Sequence, residues 1–87
     1  MRAIILYHPK DEFERQVTEY QRDYTRSHSH EIKLVSLETL DGAATGELYG
    51  VTRYPALMVM AEDGQLQKIW QGMPMPLMAE LDGYLGA

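Results

Sequence analysis

The sequence predicts an α/β sandwich, a four-stranded mixed sheet with three helices in the order β-α-β-α-β-β-α. Three observations carry that reading. Residues 3–7 (A-I-I-L-Y) are apolar without alternation, the pattern of a strand covered on both faces. Phe13, Val17, Tyr20 and Tyr24 recur at i, i+4, i+7 and i+11, one stripe of an amphipathic helix. Asp63-Gly64, the strongest short hairpin signal, separates an apolar run from a half-polar one.

Each element follows in order. His8-Pro9 ends the first strand, because proline cannot feed a central ladder. Asp11 and Glu14 have the spacing of a capping box at the start of the first helix. Arg15, Glu19, Arg22 and Arg26 lie off its apolar stripe and are expected in solvent. Ser27-His28-Ser29-His30 reads as a loop. Residues 31–37 (E-I-K-L-V-S-L) form a second strand, less uniformly apolar and so nearer an edge. Residues 39–49 hold a weaker helix, with Leu40, Ala43, Ala44 and Leu48 as its inward face. Gly42 and Gly46 cost that helix about 1 kcal/mol each relative to alanine, and Gly50 is its stop. Ala56–Met60 is a third buried strand, and residues 65–70 are its antiparallel partner. Pro76 opens a last helix that carries Leu77, Leu81 and Leu85, with Met78 beside them.

The composition bounds what such a chain does. Its 87 residues are expected to be one domain over 1–87. With 45% hydrophobic and 24% charged residues it is built to fold. Thirteen acids against 8 Lys and Arg leave a charge of −5, a poor balance for nucleic acid or an anionic membrane. There is no cysteine, so disulfides, thiolate metal sites and dithiol redox chemistry are excluded together. The longest apolar run, residues 3–7, is far short of the ~20 residues of a membrane span. The N-terminus lacks the apolar core of a secretory signal, so the chain is read as cytoplasmic.

Residues 47–72 read E-L-Y-G-V-T-R-Y-P-A-L-M-V and later E-D-G-Q-L-Q-K-I-W-Q-G. A helix ending in Tyr-Gly-Val, then three residues, a proline, a buried strand, an acidic-Gly hairpin and a glycine before the last helix resemble thioredoxin-like proteins. The topology extends the likeness over nearly the whole chain. The resemblance implies a Cys-x-x-Cys at the first turn of the first helix, where this chain has Asp11 and Glu14. A carboxylate cannot carry a mixed disulfide, so no thiol–disulfide oxidoreductase activity is expected. The resemblance also implies a cis Tyr54–Pro55 bond and a residue, Tyr54, whose backbone receives an extended peptide or glutathione. Glutaredoxins use an acidic pair after the last strand for glutathione. Here that stretch is Gly72-Met73-Pro74-Met75, so no cofactor is expected.

The candidate binding residues are therefore His8, Asp11, Glu14, Tyr54, Pro55 and Met73, with no catalytic residue assigned. The function expected is that of a redox-inactive binding or structural module with a protein or peptide partner. The alternative is a thiol-independent small-molecule-binding protein or enzyme using His8 with the nearby carboxylates. His28 and His30 supply half of a metal site at most, since zinc takes three or four ligands; no metal is expected. Met73 and Met75, if exposed beside the Tyr54–Pro55 loop, would form an apolar contact patch, which Trp70 extends. An edge strand leaves a homodimer open.

Overall fold

The computed structural model of the protein describes residues 1–86. The elements are β1 (Arg2–Tyr7), α1 (Glu14–Ser27), β2 (Ile32–Ser36), α2 (Leu40–Leu48), β3 (Ala56–Met60), β4 (Leu66–Gln71) and α3 (Met78–Leu85). They form one sheet in the order β2-β1-β3-β4. β1 is parallel to β2, with Ala3 opposite Ile32, and antiparallel to β3, with Ile5 opposite Leu57. β4 runs antiparallel to β3, with an irregularity at Val59/Met60 beside the Asp63-Gly64 turn. Gly64 sits at φ +89°, a conformation that favours glycine.

Alternation along the strands feeds two cores. On one face Ile5, Ile32, Leu57 and Val59 meet Val17 and Tyr24 of α1 and Leu81 and Leu85 of α3. On the other Leu6, Ala56, Met58 and Met60 meet Val51 behind α2, with Tyr49 and Tyr54 packed against them. All five residues of β3 are buried, because both cores use them. No described helix is long and apolar enough to cross a membrane.

Three local expectations are corrected. First, Asp11 does not cap α1. Phe13 holds the cap position without a side-chain bond, while the Asp11 carboxylate accepts the Phe13 N–H at 2.7 Å. The chain needs an additional turn to leave β1, with Lys10 at φ +65°, so Asp11 closes that turn instead. Second, α2 faces the other way. Gly42 and Gly46 are its buried residues, while Leu40 is 90% and Leu48 76% exposed, and Ala43 and Ala44 are exposed too. The helix packs through its backbone. A Cβ on Gly42 would overlap the Ser36 carbonyl, and one on Gly46 would lie 2.6 Å from the Tyr54 hydroxyl. Close approach selects glycine on the inner side and leaves the leucines outside. Third, α3 begins at Met78, with Pro76 buried and Leu77 71% exposed.

Candidate functional site

The C-terminal ends of β1 and β4 and the start of β3 lie at one end of the sheet, as their antiparallel register requires. Three loops meet there: residues 8–13, 49–55 and 72–77. The Tyr54–Pro55 and Met73–Pro74 peptide bonds are both cis.

Backbone bonds tie the second and third loops together. The Pro55 carbonyl accepts the Gly72 N–H at 2.8 Å. The Gln71 side-chain oxygen accepts the N–H groups of Thr52 and Arg53 at 2.9 and 3.2 Å. Gly72 has φ +77°, and the Arg53 side chain lies 3.8 Å from where a Cβ would stand. Gln71→Ala removes the acceptor of two loop amides, so we expect a loss of about 1–2 kcal/mol. Amide hydrogen exchange should speed up at Thr52 and Arg53 while β3 stays protected.

Tyr54 is half-buried. Its hydroxyl donates to the Val51 carbonyl at 3.2 Å and rests over Gly46, so the ring fills the step between α2 and the proline loop. The exposed His8 ring meets it edge-on, with centroids 5.1 Å apart and planes at 74°. The two residues are thus brought together across the β1 and β3 loops. Pro55 is fully buried and shapes the loop without forming surface. Among the described residues, no hydrogen bond is made by the main-chain N–H or C=O of Tyr54.

The other candidates stand apart from this contact. Asp11 is spent on its own turn, and Glu14 lies half-buried in the first turn of α1. Among the described residues no hydrogen bond joins the His8 ring to either carboxylate. Met73 is half-buried, and Met75 packs against the core shared by α1 and α3, so the exposed methionine patch does not form. Trp70 joins the same core and meets Tyr84 edge-on at 5.6 Å. His28 stacks on Tyr24 at 4.4 Å with rings 6° apart, closing the end of α1. Among the described residues no cluster of three His, Asp or Glu could hold a metal.

Sequence reasoning passed over Arg53, which is exposed between Tyr54 and the loop tether. Its signal was present, for Arg53 is the only Lys or Arg between residues 34 and 67. A groove of about 710 Å³ also went unread. It lies between β1, β2 and α2, lined by Arg2, Ile4, Lys33, Val35, Asp41 and Thr45 among others, and includes none of the candidate residues.

One phenol of α1 holds the third loop from behind and another holds α3. Tyr20 donates to the Pro76 carbonyl at 2.8 Å, and Tyr24 donates to the Asp82 carboxylate at 3.1 Å. Burial, with the Glu80 charge behind it, raises the Tyr20 pKa to about 12. Burial and then the Asp82 bond raise that of Tyr24 to about 12 as well.

This architecture matches a solved structure, thioredoxin 1 from the thermophilic eubacterium Thermosipho africanus TCF52B, with a TM-score of 0.68. The chain has a thioredoxin-like fold. The match covers 99% of this chain and 91% of that one at 8% sequence identity. No protein-family model and no curated protein matches the sequence. In this thioredoxin-like chain the turn before α1 carries Asp11 and Glu14, and the whole chain holds no cysteine. It can form no thiolate, the species that attacks a disulfide.

Proposed function

We propose that this thioredoxin-like domain is a binding module, without thiol–disulfide exchange, that takes an extended protein or peptide segment at the Tyr54–Pro55 loop. The observation that carries this reading is the main-chain N–H and C=O of Tyr54, which make no hydrogen bond among the described residues, beside the exposed His8 ring. An extended segment binds by supplying a complementary donor and acceptor, and neighbouring side chains then select among sequences. His8 and Arg53 are the exposed side chains flanking that backbone. Lys10, in the left-handed region at a cost of roughly 1–2 kcal/mol, holds the His8 loop in an uncommon shape. Such strain concentrates at binding loops.

The test is selection of peptides from a random 12-residue display library on the immobilised protein, followed by hydrogen exchange with the best binder. Selected peptides should protect the Tyr54 amide and bind His8→Ala at least tenfold more weakly. His8 is exposed, so that variant keeps its fold. Peptides that protect amides elsewhere, or that bind His8→Ala equally well, overturn the assignment.

A further inference from the structure

The outer face of α2 is built against the rule its own sequence suggests. Leu40, Ala44 and Leu48 are spaced four apart, so they fall within about 80° around the helix and span about 12 Å along it. All three are exposed, Leu40 at 90% and Leu48 at 76%, on the side opposite buried Gly42 and Gly46. Two of the most exposed large apolar side chains of the chain therefore lie on one stripe, with a small residue between them.

Charge frames that stripe. Glu38, Asp41 and Glu47 are exposed around it, and residues 34–52 contain no Lys, Arg or His. None of these three carboxylates is in an ion pair among the described residues, where the ion pairs all lie on α1. Cations nearby, Arg2 and Lys33, stand on the strands across the groove that Asp41 and Thr45 border. A second copy of this face would set acid against acid, and an anionic membrane would be repelled. The complement is apolar in its centre and basic at its edges.

We propose that the outer face of α2 is a docking surface for a basic amphipathic helix of a partner protein. An apolar side chain of that helix seats on Ala44 between Leu40 and Leu48, and its flanking Lys or Arg residues pair with Glu38, Asp41 and Glu47. Ala44 supplies the shallow hole that lets two helices approach closely. A contact of one short helix face falls in the small, transient class of interfaces. The surface is separate from the Tyr54–Pro55 loop, so either assignment stands or fails alone.

The test uses a fluorescent 15-residue helical peptide of leucine and lysine, its leucines on one face, titrated into the full chain by anisotropy. Its sequence-scrambled isomer and its glutamate counterpart serve as controls. Saturable binding of the amphipathic peptide alone, with amide chemical-shift changes confined to residues 38–48, is expected. Leu40→Gln/Leu48→Gln should weaken it at least tenfold. Glutamine keeps helix propensity and both positions are in solvent, so the fold is retained. Asp41→Lys/Glu47→Lys, which leaves the leucines in place, should weaken it at least tenfold as well. Equal binding by either variant, equal binding of the scrambled peptide, or shifts spread beyond α2 would overturn the proposal. A concentration-dependent dimer abolished by Leu40→Gln/Leu48→Gln would overturn it also, by making a second copy the occupant.

Discussion

Gly42→Ala is expected to remove about 1–3 kcal/mol of stability, although alanine is the best helix former and Gly42 lies in the first turn of α2. On propensity alone the change would gain about 1 kcal/mol. The Cβ, however, would overlap the Ser36 carbonyl oxygen, a main-chain atom anchored at the end of β2. A flexible side chain could move aside, but this carbonyl cannot. It already accepts the Thr39 N–H at 3.2 Å and the Thr39 hydroxyl at 2.7 Å. Pushing α2 outward would also break the cap, in which the Thr39 hydroxyl oxygen accepts the Gly42 N–H at 3.0 Å. Overpacking against fixed atoms costs roughly 1–3 kcal/mol, and losing the cap adds about 1 kcal/mol. A chain of 87 residues has roughly 4–13 kcal/mol to lose. Urea unfolding followed by far-ultraviolet circular dichroism decides it: a midpoint at or above wild type would refute the close-packed helix.

Alkaline unfolding between pH 10 and 12 is the second large effect expected. Tyr20 and Tyr24 are raised from 10.0 to about 12 in the folded chain. In the unfolded chain both lose their protons near pH 10, so above that pH the unfolded state binds fewer protons than the native one. Stability is therefore fully present below pH 10 and falls as pH rises through 12. One pKa unit is about 1.4 kcal/mol, so each tyrosine contributes at most ~2–3 kcal/mol to that loss, and less to the extent that solvent screens its partly buried hydroxyl. The phenolates would also face Glu80 and Asp82, which adds repulsion where α3 rests on α1. Urea midpoints from pH 8 to 12 should drop steeply for wild type and much less for Tyr20→Phe/Tyr24→Phe. If the phenols titrate near pH 10 with the fold intact, the hydrogen bonds to Pro76 and Asp82 are not what holds α3.

The strands were legible because their signal is local. An unbroken apolar run is buried on both faces wherever it lands, and Ala56–Met60 is buried at every position. The stripe of α1 was legible for the same reason, with Val17 and Tyr24 fully buried. The candidate site was legible in part. The Tyr54-Pro55 dipeptide lies at the loop end of the sheet, with His8 on its ring. Asp11 misled, because an acid two residues before a helix cap and an acid at the cap itself share the same local sequence. Met75 misled because a short loop does not reveal which side chains fold back onto a core.

What the sequence determined by itself is chemistry by elimination and topology by order: no cysteine means no thiolate, and β-α-β-α-β-β-α admits few sheets. What only the tertiary structure decided is which way α2 faces. Hydrophobicity turned Leu40 and Leu48 inward, but the approach of the helix backbone to Ser36 and Tyr54 leaves room for no side chain on the inner side. Contact distance outranks apolar periodicity there, because steric overlap rises far more steeply than the free energy of burying a leucine. The two glycines that weaken α2 as an isolated helix are what seat it, and the leucines face solvent as a consequence.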